Sequence, residues 1–171
     1  MKIAILGLGY SLTDFNSEEF DLSIGVNDIW RIVKSDIVCC FNHPNDFIPD
    51  RLIVIQDCKP QAFFSQMVIW NTRPDFVKIN ILPGYPADRY CDLNLTDYYK
   101  SFCSPFIAVQ IAFKVYHATE IHLFGCDMNN HPNLNGSICD KIKIHFINLK
   151  TALNLKNCPL IIHGQGILKD I

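Results

Sequence analysis

The sequence lacks an apolar stretch long enough to cross a membrane. A spanning helix needs about 20 consecutive apolar residues, and every apolar run here is interrupted earlier by charged residues, Pro or Gly. The amino-terminal residues also lack the charged, apolar and cleavage regions of a signal peptide. We therefore expect a cytoplasmic protein without a transmembrane segment.

Patterns for metal and nucleic-acid binding are missing as well. None of the eight Cys forms a Cys-x-x-Cys pair, and no spacing of His with Cys or Asp matches a zinc site. We predict no metal and no cofactor, and cysteines that are reduced and partly buried as small hydrophobic side chains. The 15 Lys and Arg are scattered and the net charge is −2, so no basic face for nucleic acid is expected.

What the chain does contain is a series of short apolar runs. Its 171 residues, of which 49% are hydrophobic, are sufficient for one domain spanning residues 1–171. The runs are nearly unbroken, which is typical of strands that are covered on both faces. The sequence predicts a single-domain, Rossmann-like α/β fold with a mostly parallel sheet and helices on both faces. The predicted strands are 2–6, 22–26, 36–41, 52–55, 77–82, 121–124 and 160–162.

Two helices are predicted between these strands. Ser104 is a suitable N-cap, Pro105 suits the first helical position, and an apolar segment follows. A second helix is predicted over residues 141–155, ending before Asn157 and Pro159. Residues 128–136 are rich in turn-forming Asn and Gly, so we predict a mobile loop there.

Small residues follow the first predicted strand. Gly7 and Gly9 precede Ser11 and Leu12, and glycines at a strand end allow backbone N–H groups to approach a phosphate or ribose closely. The third glycine of the dinucleotide-binding pattern is absent. The alternative is a tight turn in which the glycines serve backbone shape alone.

Polar side chains follow three other strands. Asn27 and Asn42 come after the second and third predicted strands, and Asp127 comes after the strand 121–124. Because the carboxyl ends of parallel strands lie side by side, we expect these residues to meet Gly9 and Ser11 in one crevice. The helix start at Ser104 would point its free N–H groups at the same place. The alternatives are Asx-turns for the asparagines and an N-cap for Asp127.

Histidine is the side chain best suited to proton transfer near neutral pH. Of the six His, His131 lies in the predicted loop and His43 at a strand end, and these two are our candidates for a catalytic base.

These motifs, taken in order, resemble those of a known family. A Gly-x-Gly-x-Ser-Leu start, strands ending in Asn and in Phe-Asn-x-Pro, and a Ser-started helix leading to Ile-x-Leu-x-Gly-x-Asp are similar to the small bacterial sialyltransferases and related motility-accessory glycosyltransferase-like proteins. The resemblance implies that the nucleotide of a CMP-sugar lies across the strand ends. It implies nucleotide-binding roles for Gly7, Gly9, Ser11, Leu12, Asn27, Asn42, Ser104 and Asp127.

The chain also departs from that family. Tyr10 stands where the family has Pro, and Ser104-Pro105 stands where it has Ser-Gly. The family's long lid, with tyrosines and a catalytic histidine, is reduced here to residues 128–140, which contain no Tyr and one histidine, His131.

The function predicted from the sequence is that of a metal-independent, glycosyltransferase-like protein. Its partners would be a nucleotide-activated sugar, with a CMP-linked donor as one candidate, and a glycan acceptor, and formation of a homo-oligomer stays open. One alternative is a catalytically silent nucleotide-binding or interaction module with the same fold. Another is a relative of pterin-type diphosphokinases, which share the family's Gly-x-Gly-Pro-Ser-Leu start. That chemistry needs an Asp cluster for magnesium, for which residues 42–46 are a poor substitute.

Overall fold

The computed structural model describes residues 1–128 and 135–171. Within them, seven strands form one sheet, and three α-helices and six short 3₁₀ turns lie in the connections between the strands. The strands are β1 (Lys2–Leu6), β2 (Leu22–Val26), β3 (Ile37–Cys39), β4 (Ala62–Ser65), β5 (Phe76–Lys78), β6 (Glu120–Phe124) and β7 (Leu160–Ile162). The helices are α1 (Pro49–Asp57), α2 (Ser104–Lys114) and α3 (Gly136–Asn154). No helix in these ranges is long and apolar enough to span a membrane.

All neighbouring strands are parallel, in the order β5-β4-β3-β2-β1-β6-β7. The chain therefore builds outward from β1 to β5 and then returns through α2 to place β6 on the other side of β1. In open α/β sheets, ligands bind at the carboxyl ends of the strands where the order reverses in this way. Here the reversal lies between β1 and β6.

The core has two layers, one on each face of the sheet. Alternate side chains such as Ile3, Ile5 and Ile24 face α2 and α3, while Ala4 and Leu6 face the layer that contains α1 and the 3₁₀ turns. Because both faces are covered, the strands can be apolar without alternation. The predicted α/β architecture is confirmed, with a sheet that is parallel throughout.

The predicted strand 52–55 is wrong, because these residues form the middle of α1. Pro49 occupies the first turn of that helix, where its fixed φ angle and missing N–H are tolerated. Strand β4 was not predicted, and the predicted strand 77–82 keeps only its first two residues in β5. The prediction 36–41 is longer at both ends than β3.

The predicted helix starts need correction too. Cys103, not Ser104, is the N-cap of α2, so Ser104 is its first helical residue. Helix α3 begins earlier than residue 141, because the side chain of Asn135 caps it by accepting a hydrogen bond of 3.0 Å from the N–H of Ile138. Most of the predicted loop 128–136 lies outside the described residues.

Candidate functional site

The loops that follow β1 and β6 are joined along their backbones. The N–H of Gly7 donates to the carbonyl of Phe124 at 2.8 Å, and the N–H of Gly9 donates to that of Gly125 at 2.7 Å. A Cβ atom at Gly7 or Gly9 would overlap with atoms of the β6 loop. The two glycines are therefore required for this close contact, which agrees with the alternative that they serve backbone shape. A further role of the glycines in binding a phosphate stays a prediction.

Ser11 and Asp127 form a buried clasp across the same two loops. The N–H and the hydroxyl of Ser11 both donate to Oδ2 of Asp127, at 2.9 and 3.0 Å. The N–H of Gly125 in turn donates to the Ser11 hydroxyl at 2.8 Å. Ser11 and Asp127 are each only 5% exposed. The clasp therefore fixes the ends of β1 and β6 relative to each other.

The loop after β7 packs onto the same carboxylate. Gly164 has a φ of +101°, and a Cβ atom there would overlap with Oδ1 of Asp127. The N–H of Ile167 donates to the Asp127 carbonyl at 3.1 Å. Asp127 thus holds the ends of β1, β6 and β7 together. A turn capped by Asp127 would extend beyond residue 128, outside the described residues, so the N-cap alternative stays open. Its predicted contact with a ribose or base stays a prediction.

Leu12 lies below this clasp. Its side chain is buried in the core layer of the face that carries the 3₁₀ turns. It supports the turn Tyr10–Asp14 from the interior, while the side chain of Tyr10 itself is exposed. Contact between Leu12 and a nucleotide is not tested by this placement and stays a prediction.

Asn27, at the end of β2, has an unusual backbone and an unpaired side chain. Its φ is +55°, a left-handed conformation that Asn tolerates better than most residues. Its N–H donates to the carbonyl of Cys39 at 2.9 Å, which ties it to the end of β3. Its Oδ1 is buried and accepts no hydrogen bond from any described residue. Such an orphan acceptor costs about 1–3 kcal/mol and is uncommon enough to require an explanation.

The next residue, Asp28, anchors this backbone. Asp28 is fully buried and accepts hydrogen bonds from Nε and Nη2 of Arg51, at 2.9 and 2.5 Å. Arg31 lies 3.5 Å from the same carboxylate. The hydrogen bond to Asp28 raises the pKa of Arg51 above its ordinary value. This anchor was not predicted from the sequence, although an acidic residue two positions after the buried strand β2 was a visible signal.

Asn42 and Ser104 meet at the start of α2. The hydroxyl of Ser104 donates to Oδ1 of Asn42 at 3.4 Å, across 62 positions of sequence. Asn42 is exposed and Ser104 is half-buried. The structure therefore brings the end of β3 and the amino end of α2 together, as the sequence predicted. Binding of a nucleotide by the two side chains stays a prediction.

Only one of the two candidate bases lies within the described residues. His43 caps the 3₁₀ turn Pro44–Asp46. Its ring Nδ1 accepts a hydrogen bond from the backbone N–H of Asn45 at 3.2 Å, and its own backbone N–H donates to the carboxylate of Asp46 at 2.9 Å. Its Nδ1 lone pair therefore has a structural use. His131 lies outside the described residues.

Two cysteines lie close to this edge but are poor nucleophiles. Burial raises the pKa of Cys103 to about 12 and raises that of Cys126 well above its ordinary value. Both are therefore protonated thiols near neutral pH, whereas the thiolate is the reactive form. Within the described ranges, no group of three or more His, Cys, Asp or Glu is arranged to hold a metal ion.

Two open concavities lie elsewhere on the molecule. One, of about 490 Å³, lies between residues 93–98 and the end of α2, and the other, of about 510 Å³, follows β4 and β5. Neither is lined by a residue of the predicted site. The candidate site is at the carboxyl ends of β1, β2, β3 and β6, because the strand order reverses there and the unpaired Oδ1 of Asn27 lies there.

No protein-family model and no curated protein sequence matches this chain. Its structure is similar to a crystal structure of a point mutant of the alpha-2,3/8-sialyltransferase CstII, with a TM-score of 0.56 and 14% sequence identity. The similarity covers 95% of this chain and 81% of that one. At this identity the likeness shows that the two proteins share a fold.

Proposed function

We propose that this chain is a glycosyltransferase-like protein that binds a nucleotide-activated sugar at the carboxyl ends of β1, β2, β3 and β6. The donor we put first is CMP-linked, and binding requires no metal. The fold shared with a sialyltransferase supports this proposal. So does the reversal of strand order between β1 and β6, the usual ligand position in such sheets.

The observation that carries the proposal is the buried, unpaired Oδ1 of Asn27. A protein recovers the cost of an orphan acceptor when a ligand supplies the missing donor. The amino group of cytosine and the hydroxyl groups of ribose are donors of this kind. The NH₂ group of an asparagine amide also provides two donors, so the side chain can recognise a base edge that carries both donor and acceptor atoms.

The remaining residues supply complementary contacts. The first-turn N–H groups of α2 favour an anion such as the donor phosphate. Asn42 and Ser104, already joined to each other, would line that side of the site. Transfer would further need a base for the acceptor hydroxyl, for which His131 and His43 are the candidates.

A pair of glycine substitutions tests the proposal. Asn27→Gly keeps the left-handed backbone accessible but removes the amide, whereas Asn157→Gly makes the same change at an exposed Asn of φ +56° in the turn between α3 and β7. CMP, CDP, UDP and GDP would be titrated by thermal shift. At 100 times its Kd a ligand stabilises the folded state by about 2.7 kcal/mol.

We expect at least one nucleotide to stabilise the wild type and Asn157→Gly, and none to stabilise Asn27→Gly. The absence of any shift with millimolar nucleotide, or an unchanged shift in Asn27→Gly, would contradict the proposal.

A specific observation favours a second candidate, the catalytically silent module. Nδ1 of His43, one of the two candidate bases, accepts a hydrogen bond from the backbone N–H of Asn45, so its lone pair is not free to take the proton of an acceptor hydroxyl. Both candidates predict nucleotide binding, and turnover separates them. Release of CMP from a CMP-sugar that is lost in His131→Ala or His43→Ala would exclude the silent module, and the absence of release would favour it.

A further inference from the structure

A serine, a histidine and an aspartate form a hydrogen-bonded chain that includes no residue of the candidate nucleotide site. The Ser101 hydroxyl lies 2.8 Å from Nδ1 of His145, and Nε2 of His145 lies 2.7 Å from Oδ1 of Asp88. The three residues come from the segment before α2, the middle of α3 and the 3₁₀ turn Pro86–Asp88. They are 44 and 57 positions apart in sequence, so the fold alone brings them together.

The direction of each hydrogen bond follows from the chemistry of the groups. An ionised carboxylate can only accept, and the Asp88 side chain is 45% exposed to water. Nε2 of His145 therefore carries the proton that is donated to Asp88. In the neutral ring, Nδ1 then has a free lone pair, and the Ser101 hydroxyl donates to it.

The histidine ring is held in place by aromatic neighbours. It is 0% exposed and lies nearly parallel to the rings of Tyr85 and Phe102, with interplanar angles of 15° and 10°. Phe106 packs against it as well. A ring fixed in this way keeps Nδ1 on Ser101 without a cost for ordering it later.

We propose that Ser101 is an activated serine nucleophile that reacts with small carboxylic esters, with His145 as its base and Asp88 as the group that orients His145. A nucleophile bonded to a base, and a base oriented by a third group, is the arrangement that activates serine on unrelated folds. Here the two ring nitrogens exchange roles relative to the serine proteases, with Nδ1 facing the nucleophile.

The reaction proceeds in two balanced steps. Ser101 Oγ attacks the carbonyl carbon while its proton moves to Nδ1 of His145, and the tetrahedral intermediate then expels the alcohol, which takes that proton. Water next attacks the acyl-serine, again giving a proton to Nδ1. The acid leaves and Ser101 regains its hydrogen. Asp88 accepts from Nε2 throughout and stabilises the transient imidazolium.

The surroundings of Ser101 indicate the class of ester. Ser101 itself is 7% exposed, so the acyl group must be small. Lys100 and Lys141 are exposed, with Nζ atoms 5.3 and 6.0 Å from the ring centre of Tyr85. An aromatic surface flanked by two ammonium groups favours a substrate that carries a negative charge near the ester.

The test is covalent labelling with a fluorophosphonate probe, in which Ser101 Oγ displaces fluoride at phosphorus and His145 takes the proton. Labelling would be followed by intact mass, and the site by peptide mapping. Asp88→Asn is the central variant. Because Asp88 is partly exposed, replacing its carboxylate by the amide of Asn should not disrupt folding. Ser101→Ala removes the nucleophile. Ser35→Ala is the matched control, since Ser35 is also buried but its hydroxyl donates to the carbonyl of Ile37.

We expect one probe per chain, on Ser101, in the wild type and in Ser35→Ala, and no adduct in Ser101→Ala. Asp88→Asn, shown by circular dichroism to be folded, should be labelled about 100-fold more slowly. No adduct at Ser101 in the folded wild type, or equal labelling rates in wild type and Asp88→Asn, would overturn the proposal and make the chain of hydrogen bonds a structural feature of the core.

Ester hydrolysis provides a second readout. With 4-nitrophenyl acetate and the anionic 4-nitrophenyl hemisuccinate, we expect a burst of 4-nitrophenol, faster for the anionic ester, that is absent in Ser101→Ala. The same release from wild type and Ser101→Ala would count against an acyl-serine.

Discussion

Replacing Ser11 by Ala is the sharpest test of how the strand ends are held together. The change removes two buried hydrogen bonds, the one to Asp127 at 3.0 Å and the one from Gly125 at 2.8 Å. It leaves the Gly125 N–H without this acceptor, while the carboxylate keeps the Ser11 N–H at 2.9 Å. An unsatisfied buried group costs about 1–3 kcal/mol, and a bond to a charged group contributes about 1.5–3 kcal/mol. Because these losses are not additive, we expect a decrease of roughly 3 kcal/mol in the free energy of unfolding.

Urea-induced unfolding measures this quantity, and for a chain of this length a loss of that size should lower the Tm by roughly 6–12 °C. The chain contains a matched control. Ser23 donates its N–H and hydroxyl to Asp36 at 2.8 and 2.6 Å, and the Asp36 N–H donates back at 3.0 Å. This second clasp ties the start of β2 to the residue before β3, at the amino-terminal ends of the strands and away from the candidate site.

Ser23→Ala should also destabilise the protein, but it should leave nucleotide binding by the folded protein unchanged. Ser11→Ala should weaken binding in addition, because it loosens the two loops that form one wall of the proposed site. A loss of less than about 1 kcal/mol in Ser11→Ala would refute the reasoning, since it would mean that the clasp is not formed or carries little energy.

Three further predictions concern single contacts. Gly7→Ala should lower the free energy of unfolding by several kcal/mol, because the new Cβ would overlap with Gly125. Gly136→Ala is the control: a Cβ in the first turn of α3 meets open space, so the free energy of unfolding measured in urea should change by less than about 1 kcal/mol. Arg51→Ala, which leaves the buried Asp28 short of a partner, should cost about 3 kcal/mol and Arg31→Ala less than 1 kcal/mol. Burial, with a contribution from His122, lowers the pKa of His163 in the folded protein. Below a pH of about 6.5 the unfolded chain therefore binds more protons at this residue than the folded protein does. Stability measured by urea unfolding should therefore fall as the pH drops below that value, and His163→Gln should flatten this dependence.

The fold could be predicted from the sequence where the local pattern has one reading. Residues 2–6 and 22–26 are short apolar runs bounded by turn formers, and both are strands at the predicted bounds. Residues 52–55 are also four consecutive apolar residues, but only Ile55 is buried, and they lie in α1. A short apolar run cannot by itself separate strand from helix. Pro49, just ahead of the run, was the signal that would have decided for a helix.

For the candidate site, the sequence could predict which end of the sheet its residues share, but not which of their side chains contact one another. Parallel strands must present their carboxyl ends on one edge, so the residues that follow them are brought together by topology alone. Which of those side chains bond to each other depends on loop geometry. The Ser11–Asp127 clasp joins residues 116 positions apart, and the chain from Ser101 to His145 spans 44. No local pattern in the sequence encodes either pairing.

Two serine–aspartate clasps are present, and comparing them separates polar groups that hold strands together from polar groups that indicate a ligand. Because Ser23 and Asp36 form the same arrangement at the edge of the sheet away from the proposed site, a clasp is a way to tie neighbouring strands and does not in itself indicate ligand binding. Ser11 and Asp127 therefore have a sufficient structural reason to be where they are. For Asn27 the left-handed backbone is a structural reason too, but it does not account for the buried amide oxygen, which meets no donor among the described residues. The case for a ligand at this edge rests on Asn27, and nucleotide binding should therefore respond to its loss more than to any change that only weakens the fold.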